Sequence, residues 1–107
     1  MNYTQVYKKR VELKEKFISR KMGFGAWTSI PHPQIAEIFS SAKIDYVGID
    51  IEHGTVSLDT CQRIIAACQE NGACCLPRIA SHDEEAVKRL LDSGADGIIA
   101  PMIDNVE

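Results

Sequence analysis

Long apolar runs are missing from this sequence. No stretch approaches the ~20 consecutive apolar residues that a membrane-spanning helix needs, and the N-terminal residues lack the apolar core of a secretory signal. No membrane partner is expected, and a cytoplasmic location is the default. Charge of one sign is not in excess either. Twelve basic against 15 acidic side chains give a formal net charge of −3, which offers no electrostatic reason to expect nucleic acid as a partner. Cys-x-x-Cys spacing is also absent. Cys61 and Cys68 share one helical face, while Cys74 and Cys75 are adjacent at the start of an apolar run. Reduced thiols packed as small hydrophobes are expected, rather than a zinc site or a disulfide framework.

What is present suffices for one small domain: 107 residues, 45% hydrophobic and 25% charged. Strand-like runs recur at 23–28, 46–50, 74–79 and 97–102, and helical periodicity follows each of the first three. Ile35, Ile38, Phe39 and Ala42 form one apolar stripe. Cys61, Ile64, Ile65 and Cys68 repeat its spacing, and Val87, Leu90 and Leu91 begin it a third time. Pro33 suits a first helical position. Ser57 is an expected N-cap with Asp59 near the positive end of the dipole, and Ser81 with Glu84 has capping-box spacing. Gly72 and Gly94 supply the left-handed residue that stops a helix. The order β-α-β-α-β-α-β favours parallel strands joined by right-handed crossovers.

Residues 2–21 precede this unit as a basic amphipathic segment. Val6, Leu13 and Phe17 make its apolar face, and Lys8, Lys9, Arg10, Lys14 and Lys16 are expected to be largely solvated. Glu12 and Glu15 are interspersed, so a helix packed under the sheet is the reading preferred over a nucleic-acid or membrane surface. Asp104 or Asn105 would cap a further helix that the sequence does not contain. Four apolar parallel strands need cover on both faces, and three crossover helices cover one. The pattern is that of half a barrel.

The chemistry concentrates at Tyr46-Val47-Gly48-Ile49-Asp50-Ile51-Glu52-His53-Gly54, a strand that ends in ionisable groups before Gly54 releases the backbone. Ligands bind at the carboxyl ends of parallel strands. His53 is the leading proton-transfer candidate, and Asp50 could fix its tautomer. A loop histidine capped by a carboxylate is the alternative. Arg78, late in the third strand, could hold a carboxylate or an enolate oxygen, or pair with a strand-end carboxylate such as Glu52. Trp27 ends the first strand, either as an apolar wall over the site or as a core or rim residue. His32 and His82 lie in loops on the same side and read as surface residues. Asp96, in a tight turn at the opposite end, does not read as catalytic. Asp50 and Glu52 give at most two oxygen ligands, so no metal site is completed within this chain.

In combination, Gly25-Ala26-Trp27, the run from Asp45 to Gly54, Pro77-Arg78 and the run from Val87 to Met102 resemble the HpcH/HpaI aldolase/citrate lyase family, in its branch of class II pyruvate-dependent aldolases. The resemblance implies a (β/α)8 TIM-type barrel. Residues 1–22 would be an N-terminal helix, and 23–107 the first half of the barrel, with its first four strands. It implies reversible retro-aldol cleavage of a 4-hydroxy-2-keto acid, of the dihydroxyheptenedioate or 2-keto-3-deoxy sugar acid type, to pyruvate and an aldehyde. By position, His53 and Asp50 would be the catalytic pair and Arg78 the group that steadies the enolate, with Trp27 and Glu52 lining the substrate site. A divalent metal (magnesium or manganese, or cobalt) is implied, with ligands in the missing half, so that this chain alone would be inactive. A homo-oligomer, hexameric by resemblance, is the implied assembly. Two other readings remain: a citrate-lyase-like cleavage of an acyl-CoA thioester, and a non-catalytic half-barrel that self-associates.

Overall fold

A computed structural model describes residues 3–51, 56–79, 82–101 and 103. Its elements are α1 (Tyr3–Ile18), β1 (Gly25–Thr28), α2 (Pro33–Ser40), β2 (Tyr46–Asp50), α3 (Leu58–Glu70), β3 (Cys74–Arg78) and α4 (Glu84–Asp92). The strands form one parallel sheet in the order β1-β2-β3. Gly25 is opposite Tyr46 and Asp50 opposite Arg78, which brings the three carboxyl ends to one edge.

Strand alternation divides the sheet into two faces. Val47, Ile49, Cys75 and Pro77 are fully buried, and on this side α3 contributes all of Cys61, Ile64, Ile65 and Cys68, the whole of its expected stripe. Leu90 of α4 and Ala36 of α2 complete this core. The stripe expected on α2 is rotated. Ala36 and Ser40 are buried, Ile35 and Phe39 partly so, and Ile38 is 62% exposed. Closely packed neighbouring helices favour small residues at their contact, so α2 meets its neighbours through Ala36 and Ser40 rather than through Ile38.

The helix ends follow local chemistry. Ser57 accepts the Thr60 N–H at 3.2 Å to start α3. The start of α4 is capped by Asp83, whose carboxylate accepts the Glu85 N–H at 3.1 Å. That cap replaces the Ser81-to-Glu84 box, because Asp83 directly precedes the helix and an aspartate favours the dipole's positive end; Ser81 itself lies outside the described residues. The stop glycines have φ of 86° at Gly72 and 101° at Gly94.

Two expectations change. The fourth run does not form a strand among the described residues. The backbone at 96–99 touches β3 and the residue after it through Asp96 N–H to Cys75 O (3.0 Å), Ile99 N–H to Pro77 O (2.8 Å) and Ile79 N–H to Ile99 O (3.0 Å), leaving one isolated bridge between Arg78 and Ile99. Among the described residues no strand lies beyond it, so its outer edge has no ladder to hold it extended. Second, Arg10 and Lys16 of α1 are not largely solvated; their side chains are 32% and 40% exposed. Arg10 pairs with Asp96 and donates to Gly94 O at 3.0 Å, and Lys16 Nζ lies 2.6 Å from Asp45 Oδ1. Both carboxylates stand just before strand-like runs, so these bonds fasten α1 across the amino ends of the strands. Leu13 is buried there, and Phe17 meets the Tyr46 ring edge-on at 6.0 Å. A groove of about 480 Å³ remains between α1 and the second sheet face, lined in part by Tyr7, Phe17, Leu76 and Ile98.

Candidate active site

The second face of the sheet carries Trp27, Gly48, Asp50, Leu76 and Arg78, and its carboxyl edge gathers the candidate groups. Asp50 and Arg78 are register partners on adjacent strands. Side chains of directly opposed residues emerge on the same face a few ångströms apart, and Arg78 Nη2 donates to Asp50 Oδ2 at 3.0 Å. The pair is well sheltered, with Asp50 9% and Arg78 24% exposed by side chain. An ion pair removed from water is stronger than a surface pair and holds its geometry better.

Trp27 completes the arrangement. The Arg78 guanidinium carbon stands 4.9 Å from the indole ring centroid, within cation–π range. The two residues are separated by a whole strand, and the intervening position on β2 is Gly48, the register partner of Trp27. A Cβ built on Gly48 would come within 2.4 Å of Trp27 Cε3. Only a glycine leaves room for the indole to cross β2 toward β3. Trp27 is itself 45% exposed, at the rim of the sheet edge. At the exit of β1, Thr28 Oγ1 accepts the Ile30 N–H at 3.0 Å and turns the chain.

The structure thus joins three of the residues singled out by sequence: Asp50, Arg78 and Trp27. Arg78 pairs with Asp50, the carboxylate opposite it in register. Glu52 and His53 lie outside the described residues. His32 is exposed, as read from sequence, and its Nδ1 also accepts the Gln34 N–H at 3.1 Å and caps α2. His82 Nε2 lies against Pro101 O. Both rings have structural partners. Asp96 belongs to the opposite end, where it binds Arg10, accepts the Cys75 N–H at 2.7 Å and the Gln69 amide at 3.2 Å, and is 1% exposed. All four cysteines are free and buried. Burial pushes the Cys61 thiol up to about 11 and the Cys74 thiol up to about 12, and a hydrogen bond with Cys68 together with burial raises Cys75.

Chemically, a sheltered guanidinium stacked on an indole and braced by a carboxylate is an anion holder. It offers planar N–H donors to a carboxylate, a keto oxygen or an enolate. Among the described residues no group of three or more His, Cys, Asp or Glu side chains converges in the manner of a metal site. With no such group, the described residues alone do not assemble a divalent cation site. The Gly48 notch and the stacking of Trp27 on Arg78 were not apparent from motif reading. A glycine flanked by Val47 and Ile49 inside an apolar strand was the available signal, since such glycines mark a close approach.

The family model described as HpcH/HpaI aldolase/citrate lyase matches residues 23–107. Among curated proteins, the chain is 33% identical over 84 residues to a 4-hydroxy-2-oxovalerate aldolase of Novosphingobium aromaticivorans, covering 78% of this chain and 32% of that protein. It is 31% identical over 94 residues to a pyruvate aldolase of Rhizobium etli, covering 88% and 37%. Among solved structures, an HpcH/HpaI aldolase from Desulfitobacterium hafniense superposes with a TM-score of 0.72 at 31% identity, over 80% of this chain and 34% of that one. The citrate synthase SbnG superposes with a TM-score of 0.79 at 28% identity, over 87% and 38%. The chain spans about a third of the length of the curated relatives it matches.

Proposed function

The chain belongs to the HpcH/HpaI aldolase/citrate lyase family, and from that premise we propose that it supplies the anion-holding and proton-transfer side of a pyruvate aldolase site. Residues 23–107 would be the first half of a (β/α)8 barrel, and residues 1–22 the helix across its amino ends. The reaction would be reversible retro-aldol cleavage of a 4-hydroxy-2-keto acid to pyruvate and an aldehyde. The observation that carries this reading is the Asp50–Arg78–Trp27 group at the carboxyl edge of adjacent parallel strands.

In that reaction a base takes the proton of the 4-hydroxyl group, the C3–C4 bond breaks, and its electron pair moves into an enolate at C2–C3. Arg78 is placed to bind the oxyanion, where charge develops; a donor so aimed contributes about 10²–10³-fold to rate. His53 is the proton acceptor in this proposal and Asp50 its orienting carboxylate, since a carboxylate has lone pairs beyond the one that Arg78 engages. Glu52 borders the substrate, and Trp27 stands against Arg78. The divalent metal that the family resemblance implies would act as a Lewis acid when bound; its ligands would have to come from outside the described residues. Exposed Trp27, with the open groove beside α1, supports a longer polypeptide covering this face.

The relatives compared above are named keto-acid aldolases, which favours the aldol reading over acyl-CoA cleavage. A citrate-forming condensation, not among the readings drawn from the sequence, becomes the second reading because the citrate synthase SbnG superposes with a TM-score of 0.79 at 28% identity. The test is steady-state pyruvate release from 4-hydroxy-2-keto acids, and citrate and free-thiol release from oxaloacetate plus an acetyl thioester, by the polypeptide that completes the barrel. Pyruvate release that falls at least 100-fold in Arg78→Lys is the expected result. Citrate formation without pyruvate release would replace the aldolase reading, and turnover insensitive to Arg78→Lys would remove the proposed role of Arg78.

A further inference from the structure

We infer that Trp27 is the positioning residue of Arg78, and that Gly48 exists as the notch that lets it act; this deepens the aldolase reading and rests on it for its catalytic consequence. The guanidinium is constrained from two directions. Asp50 Oδ2, at 3.0 Å from Nη2, fixes it at its edge, and the indole face, at 4.9 Å from Cζ, fixes the plane. A single ion pair leaves an arginine free to swivel about that contact. A second contact, on the guanidinium carbon rather than at Nη2, restricts that swivel, so the remaining N–H donors point in a set direction.

The indole is held in its turn by β2. Trp27 is paired in register with Gly48, and its six-membered ring crosses the position where a side chain would begin. Gly48 lies between Val47 and Ile49, both fully buried on the opposite face, so the strand cannot shift outward to make room. A single Cβ at 48 therefore meets the indole first, and displaces it from Arg78. Trp27 thus affects anion binding through the guanidinium, not as a wall against the substrate's hydrocarbon.

Trp27 is the single tryptophan of the chain, so its emission reports this one contact. In the 107-residue chain, Arg78→Met and Gly48→Ala are each expected to change the emission intensity and maximum. The double variant should change them no more than the larger single effect. Emission unchanged by both substitutions would overturn the inference. In the polypeptide that completes the barrel, Trp27→Phe should keep kcat/KM within about threefold, because a π-face remains. Trp27→Leu should lower it about tenfold, the size of a partly desolvated cation–π contact. In an Arg78→Met background, which removes the cation, that tenfold difference should vanish. Losses that add in full would overturn the inference, since they would show Trp27 acting on the substrate directly. Absence of any turnover in the wild type would defeat the aldolase reading alone, and the emission experiment would still decide the positioning of Arg78.

Discussion

Removing the Asp96 carboxylate should detach α1 from the sheet. Three donors converge on this side chain: the Arg10 guanidinium, the Gln69 amide at 3.2 Å and the Cys75 N–H at 2.7 Å. The carboxylate is 1% exposed, whereas Arg10 is 32% exposed by side chain. That asymmetry sets the order of effects. Asp96→Ala leaves a buried backbone N–H without its acceptor, at about 1–3 kcal/mol, and also breaks the ion pair, for a total of about 3–5 kcal/mol. Arg10→Met strands a buried negative charge. Its cost is about 3 kcal/mol, the low end for a buried charge stripped of its partner, because the Cys75 N–H and the Gln69 amide remain. Asp96→Asn keeps an acceptor for Cys75, and Arg10 can turn into water, so it should cost only about 1 kcal/mol. Urea denaturation followed by far-ultraviolet circular dichroism measures all three against the wild type at constant m-value. Because Asp96 sits at the amino ends of the strands, Asp96→Asn should leave the emission of Trp27 unchanged. Asp96→Ala and Arg10→Met both within about 0.5 kcal/mol of the wild type would refute the reasoning, since changes that small are typical of indifferent surface positions.

Other outcomes follow from the same structure. Lys16 above all, then the Phe24 N–H, holds the Asp45 carboxyl below the ordinary aspartate value of 3.8. A lowered folded value contributes stability above about pH 4 and loses it as pH falls through the folded value; the acid limb of a stability–pH curve should therefore be shallower in Asp45→Asn than in the wild type. Gly48→Ala should cost about 1–3 kcal/mol by overpacking against the indole, read as a lower urea midpoint. Thiols raised to about 11 and 12, and buried, should resist a disulfide reagent at pH 8. Ellman titration should find none of the four reactive in the folded chain and all four after denaturation.

Local signals in the sequence were reliable wherever the physics is local. The α3 stripe of Cys61, Ile64, Ile65 and Cys68, its Ser57 cap and the Gly72 stop are each fixed by residues within a few positions, and each stands in the structure as read. Long-range partners were illegible. Arg10 looked like one more solvated base on a charged helix because its carboxylate lies 86 positions away. Ile38 belonged to a convincing stripe, yet the packed side of α2 was chosen by the small side chains of Ala36 and Ser40. The fourth run carries strand-type residues but makes only one bridge to β3. At the candidate site, strand-end position singled out Asp50 and Arg78 separately, while their pairing depended on register, which sequence does not display. The Trp27 contact depended on a residue with no side chain at all.

The most direct test of the central proposal is pyruvate formation from a 4-hydroxy-2-keto acid with added divalent metal, measured for the 107-residue chain, for the polypeptide that completes the barrel, and for its His53→Ala variant. Turnover confined to the completed polypeptide, and reduced about 10²–10⁴-fold by His53→Ala as loss of a general base requires, is the predicted result. Metal-dependent cleavage by the 107-residue chain alone, or a completed polypeptide indifferent to His53→Ala, would contradict it.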